Sequence, residues 1–93
     1  MTAKRYASVW DAIEDSAELA ENMRLRADLM VALNKFIATQ GMTQAAAAGL
    51  FGITQPRVSD LARGKINLFS LDCLVNMAAT AGLRIELRVK RAA

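Results

Sequence analysis

The sequence predicts a small all-α helical bundle closed by one C-terminal β-strand that pairs across a dimer. Three observations predict it. The 93 residues include eighteen alanines and only five aromatics, a mixture suited to thin, closely packed helices rather than stacked sheets. Between Leu19 and Ile37 the apolar residues recur mostly at separations of three, four or seven, the period of a helix with one dry face. Over 83–90 the period becomes strict alternation, the mark of a strand with one dry face. The length suits a single domain, which buries about 60–70 % of its unfolded surface.

The elements can be placed in order. Ser8 and Asp11 form a capping-box-like start for a short helix through Ile13, with Trp10 and Ile13 on one face. Asp15 and Glu18 open a second box, and a long helix follows to Gln40 with Gly41 as its left-handed stop. A rod of that length would span roughly 37 Å, so a bend or break is expected near Arg24–Asp28, where the apolar stripe is thinnest. Thr43 caps a helix from Gln44 to Phe51, which Gly52 interrupts. Thr54 caps the next helix, tolerating Pro56 in its first turn because those amides have no partner inside the helix. That helix ends at Arg63. Ser70 caps the last one, with Phe69 placed to staple onto Leu74 and a stripe of Leu71, Leu74, Val75, Ala78 and Ala81 facing inward. The strand follows, with Leu83, Ile85, Leu87 and Val89 on its dry face. A lone strand leaves half its backbone groups unpaired. The same strand of a second copy, antiparallel across a two-fold axis, is the economical partner. Three regions result: an acidic helical extension over 1–25, a helical domain over 26–82, and a dimerisation strand over 83–90.

Composition excludes several functions. There is one cysteine, Cys73, and no histidine, so neither a disulfide within the chain nor a cysteine/histidine zinc cluster can form. Serine–histidine and cysteine–histidine nucleophiles are equally impossible. No clustered carboxylates suggest an acid–base site, so neither an enzyme nor a cofactor is expected. The longest nearly apolar run, 45–53, is too short to cross a bilayer, and the N-terminus has no apolar signal core. A cytoplasmic location without membrane contact is the expectation. Charge is divided along the chain. Residues 7–23 hold Asp11, Glu14, Asp15, Glu18 and Glu21 and no base, whereas 41–93 carry seven bases against three acids. Such a molecule can meet partners of opposite sign.

Residues 44–63 hold the most specific pattern. Two short helices that cross steeply need a small residue where their backbones approach, which Ala48 supplies. They also need a residue tolerant of positive φ in the turn, which Gly52 supplies. Ala47, Leu50 or Phe51, Ile53, Val58 and Leu61 stand where apolar locks belong. Gln55, Arg57, Ser59, Asp60 and Arg63 remain for the outer side, and such side chains can pair with base edges and phosphates. This is the sequence form of a helix-turn-helix, whose second helix enters the major groove N-terminus first.

The segment Thr43-Gln-Ala, through Gly52-Ile-Thr-Gln-Pro-Arg-Val-Ser-Asp-Leu, to Arg63-Gly-Lys resembles the Cro/cI-type (XRE-like) helix-turn-helix family, with a lambda-repressor-like fold. Ser-Val-Trp-Asp-Ala-Ile-Glu-Asp at 8–15, Glu-Asn-Met-Arg-Leu-Arg at 21–26, Ile66-Asn-Leu-Phe-Ser-Leu-Asp and the closing Gly-Leu-Arg-Ile-Glu-Leu-Arg-Val extend the likeness to HigA-like antitoxins of RelE/HigB-type toxin–antitoxin pairs. The resemblance implies a DNA-binding homodimer that represses transcription, often of its own operon, on a near-palindromic double-stranded operator. It places Gln44 at a phosphate and Thr54 at the tip of the reading helix. Gln55, Arg57 and Ser59 would face bases, Arg57 as the foremost reader, and Arg63 and Lys65 would hold the backbone. Pro56 departs from the small polar reader common at its position. Asp60, an acid on this surface, either accepts from a cytosine amino group or pairs with Arg57 or Arg63. The acids Asp11, Glu14, Asp15, Glu18 and Glu21 fit either a contact with a basic toxin or a solvated helix start. A stand-alone repressor without a toxin partner is the alternative reading.

Overall fold

The computed structural model describes residues 17–91. The helix expected at 8–13, and with it Asp11, Glu14 and Asp15, lies outside the described residues. Four α-helices follow one another: α1 (Ala17–Thr39), α2 (Gln44–Phe51), α3 (Gln55–Ala62) and α4 (Leu71–Thr80), with a single 3-10 turn at Ile66–Leu68 before the last.

α1 runs unbroken through Arg24–Asp28, so the break expected there is absent. Polar side chains reinforce the helix where apolar ones thin out. Arg24 bridges Glu21 one turn back and Asp28 one turn on, the latter at 2.9 Å. Arg26 donates to Asn22 Oδ1 at 2.8 Å. The Arg24 hydrogen bond holds the Glu21 carboxyl below its ordinary range, and the same bond raises the Arg24 guanidinium. The helix ends with Met42 N donating to Ile37 O and Gly41 N to Ala38 O, both at 3.1 Å. This paired closure uses the positive φ of Gly41.

Hydroxyl caps start the next three helices as the sequence predicts. Thr43 accepts from Ala46 N, Thr54 from Arg57 N, and Ser70 from Cys73 N. Gly52, between α2 and α3, has φ +71°, a conformation that costs a residue with a Cβ about 1–2 kcal/mol. Ile53 N then closes onto Ala48 O at 3.0 Å, which ends α2 and leads the chain into α3.

All four helices and the loop before α4 contribute to one core. It comprises Met30 and Leu33 of α1, Ala47, Ala48 and Phe51 of α2, Val58 and Leu61 of α3, Phe69, and Leu74, Met77 and Ala78 of α4. Of the two candidate locks on α2, Phe51 is the buried one, edge-on to Phe36 with ring centroids 6.5 Å apart. Phe69 and Leu74 are both fully buried, as the staple requires. Val75 is a correction: it is exposed, on the rim of an apolar groove also lined by Leu25, Leu29, Ala32 and Ile85.

The C-terminal segment is a second correction. Residues 83–91 form no strand, and no strand occurs among the described residues. A strand exists only as part of a ladder, and nothing within the described chain pairs with this one. Leu83 packs against the core, whereas Ile85, Leu87 and Val89 are 36, 78 and 95 % exposed. Among the described residues no helix is long and apolar enough to cross a membrane.

Candidate nucleic-acid interface

α3 is eight residues long and has two fully buried anchors, Val58 and Leu61. A helix this short is unstable alone, so its surroundings determine where its polar side chains point. Gln55, Pro56 and Arg63 are exposed, while Ser59 and Asp60 are half-buried. Thr54 is exposed beside Gln55, its hydroxyl engaged in the cap. Gln44, also exposed, opens α2.

One linked cluster forms at the C-terminal half of α3. Arg63 donates from Nη2 to Ser59 Oγ at 3.0 Å and stands 4.0 Å from Asp60 Oδ1, which Lys65 Nζ approaches to 3.7 Å. Of the three roles open to Asp60, pairing with Arg63 is the one seen, with Lys65 as a further partner. One carboxylate therefore lies within ion-pair range of two cations on the surface where the sequence places phosphate contacts. Lys65 N also closes onto Asp60 O at 3.1 Å, so the loop that carries this lysine is tied to α3.

The Arg57 side chain departs from its expected direction. Expected outward, it is folded back onto the protein. Its Nη1 donates to Leu68 O at 3.0 Å, Nη2 to Cys73 Sγ at 3.5 Å, and its guanidinium carbon lies 4.3 Å from the centre of the Phe69 ring. The reason is geometric. Val58 and Leu61 turn α3 so that position 57 falls at the edge of the buried stripe, where a long side chain reaches the loop before α4 instead of solvent.

Two further supports escape sequence reasoning. Asn34 Nδ2 donates to Leu61 O at 2.9 Å, and Arg26 Nη1 to Phe69 O at 3.4 Å. Both are polar residues flanking the apolar stripe of α1. Their spacing shows that they border the core but not which carbonyl they meet. Of the acidic residues proposed for a second partner, Glu21 is engaged with Arg24, and Glu18 also has an interaction partner. No group of three potential metal ligands occurs among the described residues.

Comparisons with known proteins agree with this architecture. A helix-turn-helix domain family model, HTH_37, matches residues 12–90. A solved structure of an XRE family transcriptional regulator is 33 % identical and superposes with a TM-score of 0.70, covering 78 % of this chain and 82 % of its own. The search of curated proteins returns no match. With a family model spanning most of its length and the capped α2–Gly52–α3 unit in place, the chain belongs to the HTH_37 helix-turn-helix domain family.

Proposed function

We propose that this protein regulates transcription as a sequence-specific, double-stranded DNA-binding repressor. The observation that carries the reading is α3 itself: a capped helix anchored by Val58 and Leu61 that leaves Gln55 exposed at its start and Arg63 and Lys65 exposed just past its end. Such a helix enters the major groove with its N-terminal end foremost. Gln55 and Ser59 are the base-facing side chains. Arg63, Lys65, Gln44 and the Thr54 tip meet the phosphates, and Asp60 lies within ion-pair range of the two cations. The likeness to an XRE family transcriptional regulator supports the same reading.

The repressor acts as a homodimer joined through Ile85, Leu87 and Val89, with Leu83 seating the segment on the core. The exposed apolar row at the end of the chain supports this. So does the groove of about 540 Å³ beside it, since an exposed apolar strip of this kind marks an association surface. Two reading helices about 34–36 Å apart would then occupy successive major grooves of a near-palindrome. The acid-rich stretch over 7–23, ahead of a helix-turn-helix that does not need it, supports a further role as the antitoxin of a toxin–antitoxin pair that controls its own operon in the cytoplasm.

The test is a gel shift of the full chain on the DNA upstream of its own gene. Binding should weaken by about 10³–10⁵-fold between 50 and 200 mM salt, and Arg63→Ala, which removes one phosphate contact from each protomer, should lower the salt slope by roughly 1.8. Binding to that DNA no tighter than to scrambled duplex would defeat the repressor reading. A neighbouring gene product that is harmless alone and does not co-purify would defeat the antitoxin role only.

A further inference from the structure

We infer that Arg57 is a positioning residue for DNA recognition. It locks the N-terminal end of α3 to the loop before α4 so that Gln55 and Ser59, not Arg57, read the bases.

α3 has few buried anchors of its own. Val58 and Leu61 sit one turn apart on one side of the helix. Two such contacts define an axis but leave the helix free to rock about it. Polar ties close off that motion at both ends. At the C-terminal end Asn34 of α1 bonds Leu61 O at 2.9 Å. At the N-terminal end the corresponding tie is Arg57, through Leu68 O, Cys73 Sγ and the face of Phe69.

The seat of Arg57 is itself rigid. Phe69 is fully buried, and its own carbonyl takes a bond from Arg26 of α1. Two guanidinium groups from different helices therefore end on consecutive carbonyls, Leu68 O and Phe69 O. Arginine suits this position because its planar fork can donate sideways while stacking flat on a ring, which an ammonium cannot do. The tie also lies where position matters most. The end of α3 that it holds is the end that meets DNA first, and a base-edge hydrogen bond is lost beyond a few tenths of an ångström.

The inference rests on the DNA-binding reading above, and the experiment separates the two. Thirty-base-pair duplexes are selected from a random pool by the unmodified chain. Arg57→Ala and Arg57→Lys are then compared with it for affinity at 15 °C, melting temperature, salt slope and the base preferences each selects. Positioning predicts that Arg57→Ala binds the selected duplexes about tenfold more weakly and melts about 5 °C lower. The order of preferred bases and the salt slope stay unchanged. Arg57→Lys keeps the charge and restores binding only in part, and it serves as the test if the alanine variant does not fold.

Three outcomes would overturn the assignment. Relaxed preference at one base position with an unchanged melting temperature would make Arg57 a base reader. A salt slope lower by about two, one contact from each protomer, would make it a phosphate clamp. A lower melting temperature with full affinity at 15 °C would leave it a packing residue only. If the unmodified chain enriches no sequence at all, sequence-specific binding fails first and the role of Arg57 falls with it.

Discussion

The helix-turn-helix over 43–63 and the terminal segment over 83–91 both carry regularly spaced apolar residues, yet they end in opposite conditions. Val58 and Leu61 are buried, whereas Leu87 and Val89 stand almost wholly in solvent. The difference lies in the hydrogen-bond partners each pattern requires. A helix satisfies its backbone from within, so an amphipathic helix needs only a surface to lie against. An alternating segment needs a neighbouring strand before its dry face is worth burying, and the described chain holds none. A pattern of period two thus implies a partner without supplying it.

The comparison can be broken most severely at its buried pole. Leu61→Ala should cost about 2–5 kcal/mol, read as a shift in the urea midpoint, because that side chain is fully buried and its loss leaves a cavity that the surroundings fill only in part. A cost below 1 kcal/mol would mean that α3 is held chiefly by its polar ties.

Gly52→Ala should come next, at about 1–2 kcal/mol by the same measurement. The added Cβ would meet only Thr80 Cγ2, at 3.4 Å, so the penalty arises from the positive φ and not from crowding.

At the exposed pole Leu87→Asp should change the stability of an isolated chain by no more than about 0.5 kcal/mol. It should nevertheless abolish concentration-dependent association in sedimentation equilibrium. A variant that dimerises as before would show that the apolar row is not the dimer seam.

The smallest effect concerns the first turns of α1. The Glu21 carboxyl lies below its ordinary value of 4.5 because Arg24 hydrogen-bonds it. Its contribution is therefore complete above that value and disappears as the pH falls through the lower, folded one. Amide protection over 21–28, taken relative to the intrinsic exchange rate at each pH, should fall in that acid window, and Glu21→Gln should remove the Glu21 share of the fall.

Caps, stops and the apolar stripe were legible because each is a local requirement written in a few adjacent residues. Thr43, Thr54 and Ser70 accept from the backbone three residues on, and Gly41 and Gly52 adopt positive φ where the chain must turn. The direction of the Arg57 side chain was not legible, for a reason equally physical. From sequence alone it is one of several polar residues on a short helix, and nothing local shows that position 57 borders the buried stripe closely enough to reach Phe69. The same holds for Asn34, whose acceptor is 27 residues away, and for Val75, which stands exposed at the groove.

The order of the helices, their boundaries and the helix-turn-helix register were thus determined by the sequence itself. Local hydrogen-bond demands and apolar spacing need no distant partner to take effect. Which side chains face outward from α3, which carboxylate the two cations approach, and where Arg57 rests were decided only in the tertiary structure. Those outcomes depend on the angle at which one short helix is pressed against another. That angle is a property of the packed core as a whole.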